Sequence, residues 1–354
     1  MAVNIKGAES GSGQLVTRID GWPRYSESLG VEEMEILITG ATGQLGREVV
    51  PRLLKRGDHL KLLVRDVAKA GRMFPDCDLI QGDIVRDDLG ITEPLKPDAV
   101  YHLAADINLG TKHDDRVWAI NYEGTANVVR FCERNSIPYL SYAGTAYTEK
   151  CRNAYEKSKK AAEQLVESSQ IERKTIFKIG ILVPSLEEAS KASTEAPYLL
   201  ARAICMIHDR DEVVKKRLAG TLQSPIQELK FRVKGMPDAK LNLVPVDIVS
   251  DFIVKTTVSG KFWLTHPNPP KLGDLLKWTG EVLSISIELV PEFEMTAIEA
   301  QFHEGAEPFL PYLLGDDFPS HLEGCPDISA EFARGSVAHS IINLNGALPS
   351  KWLK

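Results

Sequence analysis

Tyr155 and Lys159 stand four residues apart and are the pair in this sequence with the clearest chemical use. At this spacing two side chains lie on one face of a helix, one turn apart. An ammonium beside a phenol favours the phenolate, so we expect Lys159 to lower the pKa of Tyr155 from its usual value of about 10. Such a tyrosine exchanges a proton with a carbonyl or alcohol oxygen. The Thr145 hydroxyl could bond the same oxygen, although the tyrosine–lysine spacing is also common on helix surfaces.

A glycine-rich turn between an apolar run and a helical pattern is the second informative feature. The run at 36–38 predicts a short buried strand, and apolar residues recur at helical spacing from Leu45. Gly40 permits a tight turn, Gly43 lets the backbone approach a pyrophosphate, and Gly46 lets the helix pack close to the strand. The helix N-terminus would add N–H groups and a positive dipole end for phosphates. Three glycines also fit an ordinary strand–helix connection, so the residues downstream decide between the two.

Those residues continue an alternation of strand and helix, which predicts an α/β fold. Strands are expected at 60–64, 78–80, 99–104 and 139–143, and helices at 121–133 and from Tyr155. His102 lies inside an apolar strand, where we expect a hydrogen-bonded core histidine. Small residues at Ala104 and Ala105 leave room for a ligand at the end of that strand.

The end of the second strand bears on which dinucleotide binds. An acidic residue there holds the ribose 2′-hydroxyl of NAD, whereas an arginine suits the 2′-phosphate of NADP. Arg65 follows the strand and favours NADP, but Asp66 comes next, and a solvated surface arginine is the alternative. Asp83, after the third strand, could accept a hydrogen bond from the adenine amino group.

Composition excludes several classes of function. The chain has 354 residues with 43% hydrophobic and 26% charged residues, an ordinary balance for a globular protein. Its net charge of −7 gives no electrostatic reason to expect nucleic acid or an anionic membrane as a partner. No apolar run approaches the ~20 residues of a membrane span, and the N-terminus shows no signal-peptide pattern. Five scattered cysteines without CxxC spacing predict reduced thiols, no zinc site and a cytoplasmic location.

Taken in order, these motifs resemble the extended short-chain dehydrogenase/reductase family. The matching segments cover about residues 34 to 265 and are TGATGQLG at 39–46, GD at 82–83, HLAA at 102–105, NYEGT at 121–125, GTAY at 144–147, YEKSK at 155–159 and VPVD at 244–247. The resemblance implies a Rossmann-type doubly wound parallel sheet that binds NAD(P)(H). It also implies that Thr145 polarises the substrate oxygen, Tyr155 is the acid/base, and Lys159 holds the nicotinamide ribose. Asn121 matches an asparagine near the family's active site, or equally caps a helix.

The resemblance also implies a set of cofactor contacts. These are Thr39, Gly40, Thr42, Gly43, Gln44, Leu45, Gly46, Arg65, Asp83, Ile84, Leu103, Ala104, Ala105, Tyr155, Lys159 and Ile181.

Within the family, the sequence is most similar to the fatty acyl-CoA reductase and thioester reductase branch, through GTAY at 144–147 and FWLTHPNPP at 262–270. This implies an NADP(H)-dependent oxidoreductase, with NAD(H) possible, acting on an acyl thioester or the derived aldehyde. The acyl group could be bound to coenzyme A or a carrier protein, and a homodimer is plausible. A nucleotide-sugar epimerase using NAD is the first alternative. Where the family has an arginine-proline pair, this chain has Lys178 and Ile179, and the departure motivates a second alternative, a dinucleotide-binding sensor or scaffold without turnover.

The domain prediction follows the same resemblance. We expect an N-terminal extension at 1–33, a dinucleotide-binding domain at 34–185 to which 241–258 returns, and a smaller α/β substrate-binding region at 186–240 and 259–354. That region should carry an apolar helix near 198–207, a basic stretch at 215–234, a strand at 285–290, and helices near 294–303 and 328–342. Asp247 is expected to cap a helix at 248–254. The aromatic loop at 308–319 lines a substrate pocket or completes the core, and we favour the core.

Overall fold

The computed structural model describes residues 33–110, 113–188, 230–283 and 285–342, together with two short strands near the N-terminus. The predicted extension at 1–33, the apolar helix at 198–207 and most of the basic stretch therefore lie outside the described residues. Arg232, which does lie inside them, is paired with Glu299 at 2.8 Å. The four cysteines within the described residues are free thiols.

The alternation of strands and helices that the sequence predicts is confirmed. The strands are β1 (Gly7–Ala8), β2 (Val16–Thr17), β3 (Glu35–Thr39), β4 (His59–Val64), β5 (Asp78–Gln81), β6 (Ala99–His102), β7 (Tyr139–Ala143), β8 (Arg173–Ile179), β9 (Ile181–Val183), β10 (Lys230–Lys234), β11 (Leu243–Pro245), β12 (Gly260–Leu264) and β13 (Ser286–Val290). The α-helices are α1 (Gln44–Arg56), α2 (Val67–Met73), α3 (Asp114–Trp118), α4 (Gly124–Arg134), α5 (Ala154–Ser168), α6 (Val246–Lys255), α7 (Leu272–Leu283), α8 (Ala297–Ala306) and α9 (Ala330–Ile342).

Seven strands form one parallel sheet in the order β12-β8-β7-β6-β3-β4-β5. The chain runs outward from β3 to β5, then returns to β6 on the other side of β3. The order therefore reverses between β3 and β6, and in doubly wound sheets the crevice at the carboxyl ends of such strands receives the ligand. This topology confirms the predicted Rossmann-type α/β fold.

Both faces of the sheet are covered, which explains why its strands are continuous apolar runs. Side chains alternate across a strand, so Ile36 and Ile38 enter the core on one face, whereas Leu37 enters the core on the other. Helices α1 and α6 pack together over the first face, and α4 and α5 contribute to the second. The sheet is thus a rigid base from which loops project at the carboxyl edge.

A smaller parallel pair, β10 with β13, forms a separate core with α7 and α8. The predicted strand at 285–290 and the helices near 294–303 and 328–342 are confirmed as β13, α8 and α9. The prediction for Asp247 is wrong: α6 begins at Val246 and Asp247 lies in its first turn, where its carboxylate accepts a hydrogen bond from Ser185. The predicted domain boundaries stay predictions.

Candidate active site

The turn from β3 into α1 is packed so tightly that it requires glycine. Gly40 has a φ of +77°, and a Cβ there would lie 2.5 Å from the backbone nitrogen of Ala104 at the end of β6. A Cβ on Gly46 would lie 2.4 Å from the carbonyl oxygen of Gly40. Both distances are shorter than any real Cβ contact, so the turn, α1 and the end of β6 hold this arrangement only without side chains.

The N-terminus of α1 is suited to an anion. Gly43 is its N-cap and provides no side-chain hydrogen bond, and no acidic residue occupies the first turn. The first N–H groups of a helix have no partner within it, so those at Gln44, Leu45 and Gly46 are available to a ligand. Gly40, Gly43 and these residues also line a large cavity. The arrangement fits the diphosphate of a dinucleotide.

The residues predicted to meet the adenosine half lie at the ends of the neighbouring strands. Arg65 follows β4 and is exposed, whereas the carboxylate of Asp66 is hydrogen bonded to the Lys69 backbone N–H at 2.8 Å as the N-cap of α2. The acidic residue that weakened the NADP prediction is therefore already engaged within the protein. Asp83, after β5, accepts a hydrogen bond from the Val85 backbone N–H at 3.3 Å.

His102 is a core histidine, as the sequence predicted. Its Nδ1 lies 2.7 Å from the Thr39 hydroxyl and its Nε2 lies 3.0 Å from the Thr125 hydroxyl. Burial, with the nearby charge of Lys159, lowers the pKa of His102 to about 3. The ring therefore stays neutral at physiological pH and positions β3 against α4 without exchanging protons.

Thr145 and Tyr155 come together at the carboxyl end of β7. Thr145 lies just after this strand, and Tyr155 lies in the first turn of α5, which is capped by the Asn153 side chain. Burial and the charge of Glu156 raise the pKa of Tyr155 to about 12, and a hydrogen bond with Thr145 opposes the rise. The expectation of a lowered pKa is therefore wrong for the cofactor-free protein, because burial outweighs every nearby favourable contact.

Lys159 is nearly as buried as the core and does not bond the Tyr155 phenol. It is 2% exposed, its ammonium donates to the Ala143 carbonyl at 2.7 Å, and it lies 4.4 Å from the centre of the Tyr142 ring. Burial lowers the pKa of Lys159 to about 7, although the Glu163 carboxylate raises it. The ammonium is thus close to losing its proton at neutral pH.

Asn121 is not a helix cap. It lies within a short π-helical segment, Ala119–Glu123, that links α3 to α4. Its side chain accepts from the Asp106 backbone N–H at 2.8 Å and donates to the Asp106 carbonyl and to the Ser158 hydroxyl. These bonds connect the loop after β6 to helix α5, next to Lys159. π-Helical turns often occur at functional sites, and this one directs the Asn121 side chain toward helix α5.

The departure from the family, at Lys178 and Ile179, lies at the end of β8. Lys178 is buried, bonds the Glu163 carboxylate at 2.8 Å and also contacts the Thr148 hydroxyl. Its charge is therefore paired with a carboxylate of helix α5, and Lys178 does not line the cavity. The chain that follows, from Ile179 to Val183, lines the cavity.

One cavity of about 410 Å³ joins these parts. Of the predicted site residues, those that line it are Gly40, Gly43, Gln44, Leu45, Gly46, Leu103, Ala105, Thr145, Tyr155, Lys159 and Ile181. Those that do not are Thr39, Thr42, Arg65, Asp83, Ile84, Ala104 and Asn121. Thr39 bonds His102, the Thr42 carbonyl accepts from Arg47, and Ile84 is buried against Gly124.

Sequence reasoning missed part of the wall of the cavity that Thr145, Tyr155 and Lys159 also line. Helices α7 and α9 pack together and add leucine, phenylalanine and valine side chains to the cavity. Phe309, Tyr312 and Leu313 line it as well, and Leu313 and Tyr312 also belong to buried hydrophobic clusters, so the loop has both of the roles that the sequence left open. Helical spacing of apolar residues was the available signal, but a buried helix face and a cavity wall have the same pattern.

A buried charged network connects helix α5 to this loop. Arg152 pairs with Glu156 at 2.7 Å and with Asp316 at 2.8 Å, and the Tyr312 hydroxyl donates to Glu156 at 2.8 Å. The Arg152 guanidinium also lies 4.1 Å from the centre of the Tyr312 ring. The network holds the first turn of α5, and hence Tyr155, against the segment that closes the cavity.

Within the described residues, no cluster of side chains could hold a metal ion. Over the same residues, none of the helices has the length and apolarity to cross a membrane.

Fold and site together define an extended short-chain dehydrogenase/reductase, a class of NAD(P)-dependent oxidoreductases. The sequence profile of the NAD dependent epimerase/dehydratase family matches residues 36–223, more than half of the chain. The protein belongs to this family. A dinucleotide is therefore its expected ligand, in agreement with the glycine turn and the uncapped end of α1.

Individual relatives are distant. A 3 beta-hydroxysteroid dehydrogenase/Delta 5-->4-isomerase of Mycobacterium tuberculosis is 26% identical over 165 residues, which cover 39% of this chain and 44% of that protein. The chain spans less than two thirds of the length of the curated relatives it matches first. Two solved structures share the fold. The terminal R domain from the myxalamid PKS-NRPS biosynthetic pathway has a TM-score of 0.61 at 19% identity, covering 90% of this chain and 92% of that one. The UDP-glucose 4-epimerase of Thermotoga maritima has a TM-score of 0.59 at 13% identity, covering 88% and 99%.

Proposed function

We propose that this protein is an NADP(H)-dependent reductase of an acyl thioester or of the aldehyde derived from it. The observation that carries the proposal is the composition of the cavity. Thr145, Tyr155 and Lys159 line a cavity to which α7, α9 and the loop at 308–319 contribute mainly apolar side chains. An apolar wall suits a hydrocarbon chain that ends in the reacting carbonyl group.

The protonation states favour the reductive direction. A tyrosine with a pKa of about 12 is protonated at neutral pH and is ready to donate to a carbonyl oxygen. When a dinucleotide is bound, the carbonyl carbon would receive the hydride of the reduced nicotinamide. The Thr145 hydroxyl can bond the same oxygen and hold it at the phenol, and Lys159 can bind the ribose of the cofactor. With an aldehyde the product is an alcohol, and with a thioester the thiol leaves and an aldehyde forms.

Arg65 supports NADP(H) over NAD(H). It is exposed at the carboxyl end of β4, and one carboxylate oxygen of Asp66 caps helix α2. A guanidinium in that position binds a 2′-phosphate by charge-assisted hydrogen bonds. A carrier-bound acyl group, a homodimer and a cytoplasmic location stay predictions.

The first test is a fluorescence titration of the purified protein with NADPH and with NADH. We expect tighter NADPH binding, and we expect Arg65→Asp to weaken it by ~1–3 kcal/mol while changing NADH binding little. Arg72→Asp is the matched control, because Arg72 is an exposed arginine in the last turn of α2. A preference for NADH in the wild-type protein, or NAD that stays bound through purification, would contradict the NADP assignment.

A nucleotide-sugar epimerase is the second candidate, favoured by the family match and by the epimerase fold neighbour. It requires polar groups around the sugar, and the mainly apolar wall that the described residues form disfavours it. NAD retained through purification would place it first.

The Tyr155→Phe variant distinguishes an enzyme from a non-catalytic sensor. If the protein is a reductase, the rate at which it reduces aldehydes with NADPH should fall by ~10²–10⁴-fold in this variant, while its affinity for the cofactor is retained. If the variant reduces aldehydes as fast as the wild-type protein, Tyr155 is not the proton donor. If neither protein reduces an aldehyde and the variant keeps the biological function of the wild-type protein, a non-catalytic dinucleotide-binding module is favoured.

A further inference from the structure

A buried ion pair, Glu163 with Lys178, begins one helical turn beyond Lys159. Glu163 follows Lys159 by four residues on α5, so the two side chains are neighbours on one face of the helix. They are 5% and 2% exposed. The Glu163 carboxylate accepts a hydrogen bond from the ammonium of Lys178 at 2.8 Å, and Lys178, on β8, is 1% exposed. Lys159 thus has a buried carboxylate as its neighbour, and that carboxylate is shared with a buried cation.

The other titratable groups around Lys159 are neutral at physiological pH. His102 on β6 has a pKa of about 3, and burial raises the pKa of Tyr142 on β7 and of Tyr155 on α5 above the usual value of about 10. Burial also lowers the pKa of Lys159 to about 7, and the Glu163 carboxylate opposes this effect. Among the described residues that interact with Lys159, Glu163 is therefore the one that carries a negative charge.

Glu163 in turn has two cations of its own. Lys178 bonds one carboxylate oxygen and Lys261 of β12 bonds the other, each at 2.8 Å. The Lys178 side chain is 2% exposed, against 35% for Lys261, so solvent screens the charge of Lys178 less. An opposite charge favours an ammonium and a like charge disfavours it. Glu163 therefore increases the proton affinity of Lys159, whereas Lys178 decreases it.

We infer that Glu163 and Lys178 are positioning residues that act on the site by setting the charge of Lys159. Glu163 holds Lys159 as an ammonium, and Lys178 limits that effect by neutralising part of the carboxylate. An ammonium makes charge-assisted hydrogen bonds to a hydroxyl of the cofactor ribose, which a neutral amine does not. The inference rests on the proposed function, because it assigns the residues that control one member of the same site.

The test is an NMR titration of protein labelled with ¹³C at the lysine Cε, in which the Lys159 resonance is identified by its loss in Lys159→Met. We expect Glu163→Gln to lower the titration midpoint of Lys159 by about 1 pH unit, a tenfold loss of proton affinity, and Lys178→Met to raise it by a similar amount. The double variant should titrate close to the wild-type protein, because both charges are removed. Glu167→Gln is the matched control: Glu167 lies one turn further along α5 with a side chain that is 43% exposed, so the midpoint should not change.

The opposite signs distinguish this role from a structural one. Loss of packing at either position would admit water and raise the midpoint toward the ordinary lysine value of 10.5 in both variants. A rise in both single variants, or no change in either, would overturn the inference. If Glu163→Gln does not fold, because Lys178 is left buried without its anion, the double variant must titrate below Lys178→Met, and a midpoint at or above that of Lys178→Met would overturn the inference.

NADPH affinity is the second readout. Near pH 7, where half of Lys159 is an ammonium, a shift of about 1 pH unit changes that fraction so that Glu163→Gln should bind NADPH ~5-fold more weakly and Lys178→Met ~2-fold more tightly. Equal affinities in the two variants, despite shifted midpoints, would overturn the role in cofactor binding. If the wild-type protein binds NADPH but reduces no aldehyde, the proposed function fails, and the two titrations still decide the inference.

Discussion

Gly46→Ala tests whether the glycine turn is the cofactor site. A Cβ at this position would lie 2.4 Å from the Gly40 oxygen, 2.5 Å from the Ala41 oxygen and 2.6 Å from the Ala41 Cα. All three are backbone atoms, so no side-chain rotation relieves the contact and the turn itself must move. Overpacking of this kind costs ~1–3 kcal/mol, which exceeds the ~1 kcal/mol that alanine gains over glycine in a helix. Urea unfolding should therefore show a net loss of stability.

The same displacement should disturb the N–H groups at the start of α1. NADPH fluorescence titration should show affinity reduced by at least ~10-fold, since several hydrogen bonds to one diphosphate are misaligned together. Gly71→Ala is the control: a Cβ there would lie 3.5 Å from a Leu79 methyl group, an ordinary contact, so this helical substitution should be neutral or stabilising. Gly46→Ala with wild-type stability and wild-type NADPH affinity would refute the assignment of the turn.

Two further predictions concern buried charges. Because burial lowers the pKa of Lys159 to about 7, the unfolded chain binds more protons than the folded one between pH 7 and the ordinary lysine value of 10.5. The unfolding free energy of the cofactor-free protein should therefore rise with pH in this window, and this residue should contribute up to ~1.4 kcal/mol per pH unit. In urea unfolding at several pH values, the Lys159→Met variant should lack that contribution. Equal slopes of unfolding free energy against pH in the two proteins would contradict the prediction. Arg152→Ala leaves the fully buried Glu156 carboxylate without its cation and should lower the unfolding free energy by ~3–5 kcal/mol, whereas Lys271→Ala, at an exposed ion pair, should change it far less. Equal effects of the two substitutions would mean that the buried network carries no special stability.

Much of this architecture is local in origin and could be predicted from the sequence. Strand, glycine turn and helix at 36–56 follow from an apolar run, glycines three apart and helical spacing, all within one short segment. The order of such units, and the position of Tyr155 and Lys159 on one face after the fifth strand, follow from the same local patterns. His102 was assigned to the core because an apolar strand surrounds it, and the structure confirms this.

Long-range contacts decided points that the sequence left open or predicted wrongly. Asn121 has the local pattern of a cap, but its partners are Asp106 and Ser158, which only the fold brings near. The spacing of Tyr155 and Lys159 predicted a lowered pKa for Tyr155. Burial raises that pKa instead, and burial is a property of the whole molecule.

The sequence by itself determined the α/β order, the dinucleotide turn and the tyrosine–lysine pair, because each is encoded by residues close together in the chain. Tertiary structure alone decided which surfaces line the same cavity as Thr145, Tyr155 and Lys159. Helices α7 and α9 are more than a hundred residues away from Tyr155, and an apolar helix face looks the same in sequence whether it packs on a core or lines a cavity. The partner of such a face is set by the packing of the whole chain.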